Sequence, residues 1–439
     1  MNGSPIIPIK RLLAFCYGYY QGKRGPSRSA KNLHQCQQRM FRRLQRKVLP
    51  QTTFYQSLSE NPMVDFPIID KMVFLNHFDA INTVGLTRRQ CEQHALQAEL
   101  QGIAARPLNS ISVGLSSGTS GQRGIFLTNA MEQAEWAGYI IARNLPLRWR
   151  RQRVALLLRS NNALYEASRG LLLQFRFFDL HQEFTSLSAA LEQYRPDILI
   201  APAKVLEQLA SARINMQPDK IISVAEVLEA DNRALISQYF DRQIDEIYQC
   251  TEGYLASSCR HGRLHLNEDV LIIEKQWLDQ SSGRFVPVIT DLRRRTLPLV
   301  RFRLDDILVV DDSACPCGSA MTVISHIEGR CDDMLWLLDH NHYWQALFPD
   351  LIRRAMMLCC EHFRDYRIEQ WADSWRIFLD SDQTEIAQRH IRQQLQTLAD
   401  QQQRQAPVIE FHDWINHSVS RKFRRIACQH KPTTVREST

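Results

Sequence analysis

The chain has 439 residues, of which 44% are hydrophobic and 23% charged, with a formal net charge of +7. At ~100–200 residues per domain this length calls for two or three units, and no apolar run reaches the ~18–20 residues that a membrane-spanning helix needs. Eleven cysteines are scattered without a regular framework, which excludes a disulfide-stapled miniature fold and fits a reducing cytoplasm.

The charge is uneven. Residues 1–50 hold eleven Lys and Arg and no Asp or Glu, so the excess belongs to an N-terminal arm and the body beyond it is acidic on balance. Leu12–Tyr20 follows Lys10-Arg11 but lacks small residues suited to cleavage, so the segment is read as retained. Within the arm Leu33, Cys36, Met40, Phe41, Leu44 and Val48 recur at helical spacing, with Arg39, Arg42, Arg43, Arg46 and Lys47 among them. The pattern describes a helix packed by its apolar stripe with a cationic face in solvent. An acidic carrier protein or an anionic membrane surface suits that face better than nucleic acid does.

After the arm, Leu86–Leu100 reads as a helix capped by Thr87. Then comes Gly114-Leu-Ser-Ser-Gly-Thr-Ser-Gly-Gln-Arg-Gly-Ile-Phe126, flanked by the short apolar runs Ile111–Val113 and Ile125–Leu127, so a strand-loop-strand turn is expected. Glycine permits close backbone approach, and Ser116, Ser117, Thr119 and Ser120 add hydroxyls to free amides, a combination suited to phosphate oxygens. It is not a Walker loop, which needs Lys-Ser/Thr opening a helix.

Residues 129–145 are helical in pattern. Strands at Val154–Leu158, Leu199–Ala201, Ile221–Val224 and Glu246–Tyr248 alternate with helices at Val205–Ala212 and 227–240, which indicates α/β architecture with largely parallel sheets. From about residue 264, short runs such as Val270–Glu274 and Val286–Thr290 suggest a smaller β-rich subdomain. Gly329–Asp333 is the expected boundary to a mixed α/β region of roughly a hundred residues. No internal repeat or low-complexity tract is present.

Four further segments carry chemistry. Tyr248-Gln-Cys-Thr-Glu-Gly253 lies just past a predicted strand, where open α/β sheets place ligand groups. There Glu252 could hold magnesium and Thr251 a phosphate, although the same pair would also make an ordinary helix cap. Asp306 stands at the end of a β-like run, where a carboxylate can accept both ribose hydroxyls or serve as a turn residue. Cys259, His265 (or His261), Cys315 and Cys317 form a Cys/His set able to close a tetrahedral zinc site; reduced structural cysteines are the alternative. Ser418–Ile426 is a basic run.

The collinear order of these segments resembles the adenylate-forming superfamily, most closely its phenylacetate–coenzyme A ligase-like branch with the related capsule-biosynthesis and deazaflavin-cofactor adenylating homologues. Phe66–Lys71 resembles the early P-x-x-D-K element. Ser116–Gly124 is similar to the S-S-G-T-S/T-G-x-x-G loop, and Tyr248–Gly253 to Y-G-x-T-E-G. Leu264–Asp269 resembles G-L-H-x-x-E-D, Leu297–Arg303 L-P-L-I-R-Y-R, Cys315–Gly318 C-x-C-G, and Ile327–Leu335 I-E-G-R-x-D-D-M-L. The resemblance spans nearly the whole chain.

It implies a basic arm over 1–50, a large adenylation domain over 51–328 with mixed or parallel sheets, and a small mobile α+β lid over 329–439. It also implies ATP- and magnesium-dependent activation of a carboxylic acid, favoured as aromatic, followed by transfer to a thiol such as that of coenzyme A. By resemblance Ser116, Ser117, Gly118, Thr119, Ser120, Gly121 and Arg123 hold phosphates, Tyr248 packs on adenine, and Thr251 and Glu252 serve phosphate and magnesium. Asp306 takes the ribose hydroxyls, and Arg330 begins a hinge that turns at Asp332 or Asp333. Lys422 neutralises charge as pyrophosphate leaves, and Cys259, His265, Cys315 and Cys317 hold structural zinc. The expected partner is a small carboxylic acid, and a homodimer is compatible with the family.

Four departures stand out. Arg123 replaces the usual loop lysine, Gln249 the glycine after Tyr248, Asp305 the glycine before Asp306, and Arg421 the glycine before Lys422. They point to an atypical substrate or acceptor. Transfer to an amine, hydroxyl or carrier protein, and a non-catalytic adenylate-binding scaffold, are the competing readings.

Overall fold

In the computed structural model, which describes residues 9–100, 106–116, 123–146, 148–158, 173–180, 182–330, 334–414 and 425–430, the chain divides into two compact units. The first comprises Met1–Leu304 and Val309–His326, the second Asp305–Leu308 and Ile327–Thr439.

The first unit opens with helices α1 (Ile9–Arg24) and α2 (Ala30–Lys47), followed by α3 (Lys71–Asn76), α4 (Phe78–Ile81) and α5 (Arg88–Leu100). In α2 the apolar stripe is buried at Leu33, Cys36, Phe41 and Leu44, while Arg39, Arg42, Arg43, Arg46 and Lys47 stay exposed. At the start of α5, Thr87 Oγ1 accepts from the Gln90 amide at 3.3 Å. Gln90 Oε1 accepts from the Thr87 amide at 3.0 Å, so two otherwise orphaned donors are satisfied.

Strands β1 (Ile111–Leu115) and β2 (Ile125–Asn129) pair antiparallel, with Leu115 opposite Ile125. Helix α6 (Ala130–Asn144) starts immediately after them. Asn129 caps it through a reciprocal capping box with Glu132.

The sheet that follows is doubly covered. Strands β3 (Gln152–Leu158), β4 (Leu173–Asp179), β5 (Ile198–Ala201), β6 (Lys220–Val224) and β7 (Ile244–Cys250) run parallel in the order β4-β3-β5-β6-β7. Alternation along a strand sends successive side chains to opposite faces. In β5, Leu199 and Ala201 enter one core with Leu206, Leu209, Ile236 and Phe240, from helices α8 (Ala203–Ser211) and α9 (Ala230–Phe240), which follow α7 (Phe184–Tyr194). Ile198 and Ile200 enter the other core with Ile141 of α6 and Leu145 just after it. Burial on both faces explains why β5 is apolar at every position.

Strands β8 (Gly253–Ser258), β9 (Leu264–Leu266), β10 (Leu271–Asp279), β11 (Arg284–Asp291), β12 (Phe302–Arg303), β13 (Asp306–Val310) and β14 (Val323–Arg330) extend this sheet to 12 strands. The β-rich stretch after residue 264 is therefore continuous with the main sheet and has no separate sheet of its own. The sheet is mixed: β7, β8, β9 and β14 pair antiparallel in succession.

Helix α1 lies backbone to backbone on α6. A Cβ built on Gly18 would fall 1.9 Å from the Glu135 carbonyl oxygen, and one built on Gly138 would fall 2.1 Å from the Phe15 carbonyl oxygen. Only glycine allows that approach.

In the second unit, β15 (Leu335–Leu338) and β16 (Trp344–Leu347) form a hairpin. Strands β17 (Asp365–Trp371), β18 (Ser374–Asp380), β19 (Val408–Asp413) and β20 (Ile426–His430) form a four-stranded sheet in the order β19-β18-β17-β20. Helices α10 (Pro349–Met357) and α11 (Thr384–Gln401) supply Ile352, Met356, Ile391 and Leu395 to its core, around Ile368, Trp375 and Ile377. Among the described residues no helix is long and apolar enough to cross a membrane.

Candidate active site and metal centre

The glycine- and serine-rich loop leaves the β1–β2 hairpin through a closed neck. Ser116 donates its amide to the Gly124 carbonyl at 2.8 Å, Gly124 returns its amide to Ser116 Oγ at 2.7 Å, and Arg123 Nε donates to the Ser116 carbonyl at 2.6 Å. Ser117, Gly118, Thr119, Ser120 and Gly121 lie outside the described residues. The neck faces the second motif: a Cβ built on Gly124 would touch Thr251 Cγ2 at 3.4 Å.

Gln249 and Cys250 continue β7 past the strand end expected at Tyr248. The strand continues because β8 pairs back on it, leaving Thr251 and Glu252 as the two-residue connection. The register shifts between Tyr248 and Gln249, a bulge at the position where glycine is the expected residue; bulges of this kind re-aim side chains beside functional sites. Tyr248 is buried. Glu252 is half-buried, on the same turn as Thr251.

The segment after β11 completes the arrangement, and sequence reasoning missed it. Asp291 Oδ1 accepts from the amides of Arg293 and Arg294 at 2.8 and 3.2 Å. Arg294 Nη2 then donates to the Thr251 carbonyl at 2.6 Å. Glu132 accepts from the amides of Arg295 and Thr296 at 2.6 and 2.9 Å, tying this segment to the start of α6. The available signal was the triplet Arg293-Arg294-Arg295 between two apolar runs, a pattern that also fits a solvated turn.

Asp306 opens β13 instead of ending a run. Its partner in the second unit is Arg330, with Nε 3.6 Å from Oδ1, so the expected ribose carboxylate and the expected hinge arginine form an ion pair. Asp332, Asp333, Arg421 and Lys422 lie outside the described residues.

Cys259, His265, Cys315 and Cys317 come together with all ligand atoms within 4.8 Å of one another. Cys259 follows β8, His265 lies in β9, and the other two sit on the turn Cys315-Pro-Cys-Gly318. That turn closes through the Gly318 amide to the Cys315 carbonyl at 3.0 Å, with Gly318 at φ +76°, a conformation suited to glycine. Arg263 Nη1 and Nη2 brace the turn through the carbonyls of Ala314 and Ser313, each at 2.9 Å.

The Cys259 and Cys315 sulfurs are 3.7 Å apart, close to the ~3.8 Å edge of a tetrahedron with ~2.3 Å zinc–sulfur bonds. Cys317 Sγ and His265 Nε2 are 3.4 Å apart. His265 Nδ1 lies 3.1 Å from the Met321 carbonyl oxygen. A carbonyl can only accept, so Nδ1 carries the proton and Nε2 presents its lone pair to the sulfurs, the orientation a metal-bound histidine takes. His261 is exposed and takes a hydrogen bond from Arg260 Nε at 3.1 Å.

Burial pushes the Cys259 thiol up to about 11 and lowers the imidazolium pKa of His265. At Cys315 the upward push of burial is outweighed by hydrogen bonds from Cys317 and Cys259, and the thiol is lowered. The donor set fits a closed zinc site.

No protein-family profile and no curated protein matches the chain. Solved structures do. A 2-hydroxyisobutyryl-CoA ligase in the postadenylation state, in complex with R3-HIB-AMP, matches at 14% identity with a TM-score of 0.66 over 93% of this chain and 91% of its own. The acyl acid amido synthetase AtGH3.15 in complex with 2,4-DB matches at 13% identity and 0.54, over 94% and 91%. The anthranilate CoA ligase AuaEII in complex with anthranoyl-AMP matches at 16% identity and 0.50, over 69% and 63%. The large mixed sheet and the smaller C-terminal α+β region of this chain make up the fold of the adenylate-forming ligases.

Proposed function

We propose that the protein activates a carboxylic acid with ATP and passes the acyl group to a thiol. The observation that carries this reading is the meeting of Gly124, Thr251 and Arg294 within the first unit. The base of a hydroxyl-rich loop, a Thr-Glu turn and an arginine are fixed against one another, a set suited to holding phosphate oxygens by oriented dipoles and positive charge.

In the first step a carboxylate oxygen attacks the α-phosphorus, the bond to the bridging oxygen breaks, and pyrophosphate leaves. Ser116, Thr251 and the loop hydroxyls of Ser117, Thr119 and Ser120 orient the phosphates, with Arg123 as the loop cation. Tyr248 flanks the adenine, Asp306 accepts the ribose hydroxyls, and Lys422 balances negative charge as pyrophosphate departs. Magnesium, held through Glu252, would supply further neutralisation of the phosphates. Glu252 has no hydrogen-bond or ion-pair partner among the described residues and so is not committed elsewhere. In the second step the thiol sulfur attacks the acyl carbon, AMP leaves, and the thiol proton passes to solvent.

An aromatic or otherwise apolar acid and coenzyme A are the favoured pair by family resemblance. The likeness to an acyl acid amido synthetase supports a second reading in which the same adenylate is captured by an amine. Cys259, His265, Cys315 and Cys317 would hold a structural zinc, since four protein ligands leave no open position for substrate. The cationic face of α2 is assigned to an anionic partner on the acceptor side.

The test is pyrophosphate exchange over a panel of acids, followed by offering coenzyme A and amines to the responding acid. Exchange with at least one acid is expected. Tight AMP binding without exchange for any acid would replace the enzyme by an adenylate-binding scaffold.

A further inference from the structure

Beside the candidate active site, a cavity of about 360 Å³ is lined by residues of α1, α2 and the segment after β11, among them Met40, Arg43, Lys47, Val48, Arg293 and Arg295. Its charge is one-sided. Arg43 and Lys47, one helical turn apart on α2, have no carboxylate partner among the described residues, and neither does Arg293.

Arg293 is half-buried, and its Nη1 is enclosed without a hydrogen-bond partner; its guanidinium stacks 4.2 Å over the Tyr139 ring. The acid in the lining, Glu135, is already spent on Arg295, 2.7 Å away. The lining also includes the apolar side chains of Met40, Leu44, Val48 and Leu292.

We infer that this cavity binds a phosphate monoester, with the phosphate on Arg43, Lys47 and Arg293 and the organic portion against the apolar side chains. A dianion matches three uncompensated cations, and an arginine fork suits phosphate oxygens. Among the described residues, Gly124, Thr251 and Arg294 are not part of this lining. Arg294 turns to Thr251, whereas Arg293 and Arg295 on either side of it line the cavity.

The test is calorimetric titration of the full chain with phenyl phosphate in the presence of saturating AMP. One binding event is expected. R43Q/K47Q, which alters only exposed positions and leaves the fold intact, should weaken it about tenfold or more, as loss of charge-assisted hydrogen bonds does. R293Q should weaken it likewise, with AMP affinity unchanged in both variants. If AMP itself fails to bind, the adenylation reading fails, yet the comparison of R43Q/K47Q with the parent still tests the cavity.

Vesicles containing phosphatidate separate two sources of the phosphate. Co-sedimentation lost in R43Q/K47Q would identify a lipid headgroup, and phenyl phosphate binding without co-sedimentation a soluble ester. Binding of neither, an affinity unchanged in R43Q/K47Q, or stoichiometric displacement of phenyl phosphate by AMP would overturn the inference.

Discussion

Arg294 donates through Nη2 to the carbonyl of Thr251 at 2.6 Å, across the gap between two sheet connections that sequence distance keeps far apart. Its Nε is also 3.5 Å from Asp291 Oδ2, so the guanidinium is oriented from both sides. The Thr251-Glu252 turn thus takes its position partly from a residue outside every recognisable motif.

Arg294→Met should therefore lower the rate of pyrophosphate exchange by about 10–100-fold, consistent with losing a charge-assisted bond of roughly 1.5–3 kcal/mol. Arg294→Lys should recover part of it. Steady-state exchange kinetics against ATP measure both; a rate equal to wild type in the Met variant would detach Arg294 from the site.

One zinc per chain is expected in protein purified without chelator, and Cys259→Ser or Cys315→Ser should lose it with a fall in Tm. Sulfurs 3.7 Å apart and an imidazole oriented by the Met321 carbonyl fit a closed site of the structural kind. Elemental analysis decides the matter, and absence of zinc in the wild type would remove the metal centre.

Lys422→Ala should slow adenylation by about 10²–10³-fold, the usual effect of removing one preorganised charge-stabilising group. Circular dichroism and Tm should be unchanged. Acyl-adenylate formation at wild-type speed would reassign the lid lysine.

Gly18→Ala should destabilise the first unit by roughly 1–3 kcal/mol, because the added methyl meets the Glu135 carbonyl oxygen at 1.9 Å and the two backbones must part. Urea unfolding reads the change. The same packing means that truncating residues 1–30 would remove a structural helix, so the arm's charges are better tested by Arg39→Gln and Arg46→Gln on the exposed face of α2.

Asp197 couples stability to acid. Burial raises its pKa, but the Arg153 amide at 2.7 Å and Arg150 at 2.9 Å outweigh that effect, and the net direction is down. A carboxyl lowered on folding contributes stability above its unfolded pKa and loses it as pH falls through the folded value. Asp197→Asn should cost ~1–3 kcal/mol near neutrality and flatten the acid limb of a Tm-against-pH curve. A limb of unchanged slope would shift the acid sensitivity to other carboxylates.

What could be read in the chain alone was whatever depends on local chemistry. Glycines and hydroxyls at 114–126 specify a turn between two apolar runs, the pattern over 129–145 specifies a helix, and alternation of strand and helix from 154 to 248 specifies covered parallel strands. These follow from backbone freedom and side-chain period, which act over a few residues. The collinear motifs pointed to the same fold because their order reflects the order of the sheet connections.

Tertiary structure alone decided which distant groups meet. It selected His265 over His261, because β9 pairs with β8 and β14 and turns that ring inward. It kept the strands after residue 264 in one sheet, moved Asp306 to the start of β13 beside Arg330, and brought Arg294 to Thr251. Each of these outcomes depends on strand register and chain crossing. Register is set by burial summed over whole faces, so no short stretch of residues contains it.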